Sequence, residues 1–347
     1  MSDYLITIDA GTTNTRAFLW TADRHLVGAE KRKVGVRNTA IDGSNDKLRT
    51  AVRECLDSLL SNAGLAWGDV RQVLASGMIT SNVGLYELSH LTVPVSLDDL
   101  ANGVCTVEFK ELCPLPITFI PGVKNHTSRV TTDNFESMDI MRGEEVETFA
   151  LLESLDVGGG WLIVLPGSHT KFVTVDDQRR ITGCLTSITG ELLDAVTKHT
   201  VLSDAVGRRF IDDLDYSPEW TLRGCSTAAR VGLGRACFSA RVLSQFAGEP
   251  PEHLANFLAG ACLQSDVDAV RNSHALQIAT LKGALIAGSG ALCRAMTDVL
   301  RQSGLFPQVR TYMPRPDTPL SGLGALAVAE CMYHKSVSIS TSNQSFC

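Results

Sequence analysis

The feature that most constrains this chain is one shape written twice, 156 residues apart, with Gly11 falling on Gly167 and Thr12 on Ser168. In the first copy Leu5-Ile-Thr-Ile8 is a β-rich run and Asp9-Ala10-Gly11-Thr12-Thr13-Asn14 is turn chemistry. Arg16-Ala-Phe-Leu-Trp20 is a second strand, and a turn at Asp23-Arg24 leads to a third over Leu26 to Val34. In the second copy the strand Trp161-Leu-Ile-Val-Leu165 meets the turn Pro166-Gly167-Ser168-His169-Thr170. Lys171-Phe-Val-Thr-Val175, the turn Asp176-Asp177-Gln178 and a third strand over Ile181 to Ile188 complete it. Short apolar runs punctuated by Gly, Thr, Asn and Asp are the signature of antiparallel meanders. Two copies at this spacing predict two domains of like topology, a duplication rather than a solenoid array.

Alternating helix and strand signals follow each meander, which predicts an α/β fold. Asp46 to Ala63 reads as a helix, Val70 to Ala75 as a strand ending at Ser76-Gly77, and Pro116 to Ile120 as a strand ending at Pro121-Gly122. Arg142 to Leu155 reads as a helix with Glu144 and Glu145 in its first turn, where carboxylates suit the helix dipole. Gly158-Gly159-Gly160 marks a break. Beyond the second meander, helices are expected over Glu191 to Thr200, Thr227 to Gln245 and Pro251 to Asn272. A strand over Leu281 to Ala287 then runs through Gly288-Ser289-Gly290 into a helix over Ala291 to Gln302, and a last helix covers Gly322 to His334. The expected domains are residues 1–157 and 158–334, the last helix being free to pack back on the first domain, with a disordered tail over 335–347.

The formal charge of −7 and pI near 5.6 argue against a nucleic-acid binder, which needs a basic face. The one tight basic cluster, Lys31-Arg32-Lys33, follows Glu30 and reads as a solvated strand edge. No apolar run approaches membrane-spanning length. The N-terminus starts a strand at once and shows no secretory pattern. Ten cysteines scattered singly read as reduced thiols of a cytoplasmic protein. There is no GxxxxGK[ST], no HEXXH and no GxSxG. Gly322-Leu-Gly324-Ala-Leu-Ala327 matches GxGxxA, but no apolar strand precedes it, so it reads as a helix start.

A tight turn of small residues presents backbone N–H groups and hydroxyls in a concave array that binds phosphate oxygens. Asp9 adds a carboxylate beside such an array, a position suited to a Mg²⁺ or to a water of its shell. Two such turns facing each other across a cleft can hold the phosphates of one nucleotide.

Ile8-Asp9-Ala10-Gly11-Thr12-Thr13-Asn14-Thr15-Arg16 resembles the first phosphate motif of the sugar kinase/hsp70/actin superfamily. Four further blocks are similar to one branch, the 2-dehydro-3-deoxygalactonokinases. They are Ser76-Gly77-Met78-Ile79-Thr80-Ser81-Asn82-Val83-Gly84, Met141-Arg142-Gly143-Glu144-Glu145, Leu165-Pro166-Gly167-Ser168-His169-Thr170-Lys171 and Thr189-Gly190-Glu191-Leu192. The resemblance covers about residues 4 to 330. It implies two ribonuclease-H-like (actin-like ATPase) domains with a nucleotide cleft between them. It also implies an ATP- and Mg²⁺-dependent kinase acting on the terminal (6-) hydroxyl of 2-dehydro-3-deoxy-D-galactonate in D-galactonate catabolism. The sequence departs from the superfamily pattern at the second turn. Leu165 is no acid, and Pro166 and His169 replace smaller residues, so Asp9 is the one metal-side carboxylate the turns carry.

By the same resemblance the phosphates fall to Gly11, Thr12, Thr13, Asn14, Gly167, Ser168, His169 and Thr170, and the nucleoside to Gly288, Ser289 and Gly290. Lys171 either reaches phosphate or points from its strand to solvent. Glu144, after Gly143 at a helix start, takes the place of the base that accepts the hydroxyl proton, with Asp139 as the alternative. A carboxylate substrate calls for a cation. Arg142 is the first candidate, against a structural pairing with Glu145. Met78, Ser81 and Asn82 offer contacts for the sugar, and Arg16 either meets substrate or braces the first turn. No membrane or nucleic-acid partner is expected, and a homodimer stays open. The competing readings are a kinase of another sugar on the same fold and a non-catalytic ATP-binding regulator.

Overall fold

The computed structural model describes residues 3–127, 129–155 and 157–342, with side chains described as far as His334 in the last helix. The first copy of the repeat folds as β1 (Tyr4–Ala10), β2 (Thr15–Thr21) and β3 (Leu26–Arg32). Next come α1 (Val36–Asp42), α2 (Asp46–Ala63), β4 (Val70–Gly77), β5 (Leu91–Thr92), α3 (Leu97–Gly103) and β6 (Cys105–Val107). β7 (Ile117–Phe119), β8 (Val123–Lys124), β9 (Ile140–Met141) and α4 (Glu144–Ser154) close this half. The second copy is β10 (Trp161–Leu165), β11 (Thr170–Val175) and β12 (Ile181–Ser187). It is followed by α5 (Thr189–His199), α6 (Pro218–Val231), α7 (Leu233–Val242), α8 (Pro251–Asn272), β13 (Gly283–Ala287), α9 (Ala291–Ser303), β14 (Val309–Tyr312) and α10 (Leu320–Ser342).

The result is a mixed α/β fold built on two sheets of like order, β3-β2-β1-β4-β7-β6 and β12-β11-β10-β13-β14. In each, the meander is antiparallel. Its first strand, β1 or β10, then pairs in parallel with a strand that returns after helices, β4 or β13. The next pairing outward, β4 with β7 or β13 with β14, is parallel as well.

Alternation along the strands feeds separate cores, as a two-residue period demands. Ile6, Ile8 and Leu19 pack with Leu48, Val52, Leu56 and Leu59 of α2. Leu162, Val164 and Phe172 pack with α8 and α9. The opposite faces, with Leu5, Trp20 and Leu74 from one sheet and Ile163, Val173 and Leu285 from the other, share a central core with α4 and α10. α10 runs along α4 and α3 and across β1 and β4. Gly322 and Gly324 allow that approach: a Cβ at Gly324 would stand 2.0 Å from the Val146 carbonyl oxygen, and one at Gly322 2.4 Å from the Trp20 ring. The GxGxxA pattern therefore serves helix packing.

A small sheet, β5-β8-β9, meets the free edge of β12. Val95 and Ile181 exchange backbone hydrogen bonds there. Asn125 imitates a strand, its Nδ2 donating to the Cys184 carbonyl at 2.8 Å and its Oδ1 accepting from the Cys184 N–H at 2.8 Å. This seam carries β9, and with it the start of α4, against the second sheet.

The expected helix over Thr227 to Gln245 is corrected to two, α6 and α7. Gly232, at φ +81°, breaks the helical path between them, and α6 begins earlier because Ser217 caps the Trp220 N–H with Pro218 at the first helical position. α10 continues to Ser342, so residues 335–342 are helical rather than part of a tail. No Gly or Pro after Gly324 interrupts it. The remainder of the expected tail, residues 343–347, lies outside the described residues.

Candidate active site

Each Gly/Thr turn is backed by a helix start, and each contact relies on a glycine. In the first turn the Gly11 N–H donates to the Asn14 carbonyl at 2.9 Å, while the Val36 and Arg37 N–H groups donate to the Gly11 and Thr12 carbonyls at 3.1 and 3.0 Å. A Cβ on Gly35 would stand 2.5 Å from both of those residues. In the second turn the Glu191 N–H donates to the Ser168 carbonyl at 3.2 Å, and a Cβ on Gly190 would stand 2.2 Å from the Gly167 carbonyl oxygen. These carbonyls are thus engaged behind the turns, away from the space in front.

That space is shared. Gly11, Thr12, Thr13 and Asn14 line one cavity of about 510 Å³ together with Gly167, Ser168 and His169. A second cavity of about 940 Å³ opens from the same two turns and reaches α5, Phe210 and Leu292. The His169 imidazole meets Glu191 of α5 at 3.1 Å.

One wall of the first cavity is acidic. Asp9, Glu144 and Glu147 all line it. Burial raises the Asp9 carboxyl above its ordinary range, while the Arg16 guanidinium, 3.5 Å away, pulls it down. Glu144 and Glu147 are three residues apart on α4 and so share a face. Burial pushes the Glu144 carboxyl up, and the Lys171 ammonium opposes that shift. Its Oε2 accepts from the Arg142 N–H at 3.1 Å. Glu147 is pushed up to about 8 by burial, with Asp9 and Glu144 adding to the rise. Glu145 points elsewhere: fully buried, it receives the Gly143 N–H at 2.9 and 2.8 Å. Among the described residues no three His, Cys, Asp or Glu side chains are grouped to hold a metal ion.

The other wall is basic. The Arg142 Nη1 donates to Thr80 Oγ1 at 2.8 Å and Nη2 to the Leu88 carbonyl at 2.5 Å. It makes no close ion pair among the described residues, and the Glu145 and Glu87 carboxylates act on it only through space. Lys171 points inward, not to solvent: it is 8% exposed, and Nζ donates to the Ile140 carbonyl at 2.7 Å and to Thr186 Oγ1 at 2.6 Å. Met78, Ser81, Asn82 and Arg16 also line it, with His90 and Glu87.

Three sequence expectations are placed elsewhere. Asp139 is absent from the cavity wall; its oxygens accept from the Thr186 N–H at 2.5 Å, the Thr186 hydroxyl at 2.9 Å and the Ile140 N–H at 2.6 Å, so it fastens the seam at β12. Thr170 is buried in β11, paired with Ser187, and lines neither cavity. Gly288, Ser289 and Gly290 line a separate cavity of about 590 Å³ with Tyr216, Arg294 and Asp298. Sequence reasoning missed Glu147 and His90. The three-residue step from Glu144 could have found Glu147; nothing local to His90 points to the cavity.

Comparison with known proteins places this architecture. A crystal structure of a candidate 2-dehydro-3-deoxygalactonokinase from Sinorhizobium meliloti has the same fold, with a TM-score of 0.71 and 21% identity over 94% of this chain and 97% of that one. The family model described as 2-keto-3-deoxy-galactonokinase matches residues 9–316, and the chain belongs to that family. A probable 2-dehydro-3-deoxygalactonokinase of Rhizobium meliloti (strain 1021) is 28% identical over 203 residues, which is 58% of this chain; the match spans 59% of that curated relative's length.

Proposed function

We propose that the protein is an ATP-dependent kinase that transfers the γ-phosphoryl group to the terminal (6-) hydroxyl of 2-dehydro-3-deoxy-D-galactonate, in D-galactonate catabolism. The observation that carries this reading is the convergence of both small-residue turns on one cavity that also holds Glu144 and Arg142. Family membership supports the choice of acceptor. In this reading the two sheets of like order are ribonuclease-H-like domains, over residues 1–157 and 158–334.

Phosphoryl transfer asks for aligned reactants, stabilised charge and a group to take the hydroxyl proton. The turns Gly11–Asn14 and Gly167–His169 bind the β- and γ-phosphates through N–H groups and hydroxyls. The adjoining cavity toward Phe210 and Leu292 takes the nucleoside. Glu144 receives the acceptor's proton. Burial gives it more proton affinity than an exposed carboxylate has, and the Lys171 ammonium opposes that rise. Glu144 is preferred to Asp139 as base because Asp139 is engaged in the seam. Arg142, charged and without an ion-pair partner among the described residues, receives the acceptor's carboxylate.

The donor set suits Mg²⁺: one half-buried carboxylate, Asp9, stands beside hydroxyls and the proposed phosphate positions. Mg²⁺ commonly takes one or two carboxylates with phosphates and waters. When bound, it would neutralise phosphate charge. No described helix is long and apolar enough to cross a membrane, and eight of the described cysteines, Cys55 to Cys293, carry free thiols. Both suit the cytoplasm, where ATP is met.

The test is an ATP-coupled assay with purified full-length protein over sugar acids and plain sugars. Turnover of the 2-oxo-3-deoxy acid above the rest is expected. Turnover of no such acid would overturn the reading.

A further inference from the structure

Arginine carries five N–H groups and no acceptor. Three of those on Arg142 face Thr80 Oγ1, the Leu88 carbonyl and, at 3.5 Å from Nη2, the Nδ1 of His90. Because the guanidinium can only donate, Nδ1 is the acceptor, and the imidazole proton sits on Nε2. The guanidinium is the one side-chain hydrogen-bond partner of His90 among the described residues, since Nε2 is buried without one. The ring also packs with Arg142 as a unit. Both lie in the room left by Gly122, where a Cβ would stand 2.6 Å from Arg142 Cγ and 3.0 Å from His90 Cδ2.

We propose that His90 is a positioning residue that holds the Arg142 guanidinium toward the anionic end of the phosphoryl acceptor, and thereby sets the preference for an acid over a neutral sugar. The inference rests on the kinase reading above and deepens it. A half-buried cation held by neutral acceptors keeps its charge for a ligand, and its aim is fixed by those acceptors. Thr80 and the Leu88 carbonyl hold two N–H groups; His90 fixes the third and with it the tilt of the plane. The device works only with a neutral ring, because a protonated one would turn N–H toward N–H. The surroundings enforce neutrality. Burial, then Arg142, Lys124 on β8 and Lys171 on β11, push the imidazole down to about 4. On the acidic side, Glu145 and then Glu87, which lines the same cavity, act on the Arg142 guanidinium through space.

The experiment compares 2-dehydro-3-deoxy-D-galactonate with its carboxamide, which keeps the skeleton and loses the charge. His90→Leu is expected to raise KM for the acid about 5- to 10-fold, the worth of one hydrogen bond. Its kcat, its KM for ATP and its KM for the carboxamide stay close to wild type. His90→Asn, which places an acceptor near the Nδ1 position, restores most of the loss. In the wild type KM for the acid stays flat from pH 8 down to pH 5. The inference is overturned if His90→Leu keeps the acid preference, if His90→Asn fails to restore it, or if KM rises around pH 6.5 in a manner that His90→Asn abolishes. The Asn variant and the pH profile decide even if His90→Leu does not fold. Wild-type protein that phosphorylates no 2-oxo sugar acid overturns the kinase reading and this inference together; a variant result alone overturns only the role of His90.

Discussion

Gly190 lies so close behind Gly167 that a Cβ added to it would stand 2.2 Å from the Gly167 carbonyl oxygen. Gly35 stands in the same relation to Gly11 and Thr12, at 2.5 Å. The geometry of both proposed phosphate turns is therefore set from behind, by helix starts that tolerate no side chain. Gly190→Ala must push the second turn forward or shift α5. The expected outcome is a KM for ATP raised by roughly 10-fold and a stability loss of about 1–3 kcal/mol from overpacking. Steady-state kinetics and thermal unfolding check it, and an unchanged KM for ATP would refute the coupling.

Glu144→Gln keeps the shape of the cavity wall and removes the base. A fall in kcat of roughly 10²- to 10⁴-fold is expected, with ATP binding preserved by calorimetry. Asp139→Asn disturbs the β12 seam instead, so its cost should appear as a lower melting temperature with kcat affected far less. If the two variants exchange these phenotypes, the assignment of the base is wrong.

The pH profile of kcat/KM reports the same carboxylate. Because burial raises the pKa of Glu144, the acid limb should lie above the ordinary glutamate range near 4.3. Activity is lost as pH falls through that raised value, since the base must be ionised to act. In Glu144→Gln the residual activity should show no such limb.

How much of this was legible in the sequence differs by element. The meanders were readable because each strand is a short apolar run stopped by Gly, Thr or Asp. α2 was readable because a 3.6-residue apolar stripe runs from Leu48 to Leu60. β5, β8 and β9 are two residues each and carry no periodicity, so the seam that presents Arg142 and engages Asp139 was hidden. Glu144 stood out through its place after Gly143. His90 did not, because its position depends on β8 and β9 folding against a distant strand. The inward course of Lys171 likewise follows from its acceptors, Ile140 and Thr186, one of which belongs to the other half of the chain.

Arg142→Ala removes the proposed carboxylate contact. A rise in KM for the acid of roughly 10- to 100-fold is expected, in line with about 1.5–3 kcal/mol for a hydrogen bond to a charged group. KM for ATP should hold. Equal losses for acid and neutral acceptors would argue that Arg142 only props the loop through Thr80 and Leu88.

Stability should fall as pH rises from about 5 to 8 because of Glu147. Its folded pKa, about 8, lies above the unfolded value near 4.3. Its contribution is thus complete below the unfolded value and is lost as pH climbs through the folded one. Glu147→Gln should raise the melting temperature relative to wild type at pH 9 and change it little at pH 5. Melting curves at the two pH values check the sign.

α10 supplies much of the cover for α4 and for one face of the first sheet, yet it lies beyond residue 319. A nascent chain that has emerged only as far as α4 has an open apolar face with no partner yet made. The half of the molecule that leaves the ribosome first is thus the half whose core is completed last.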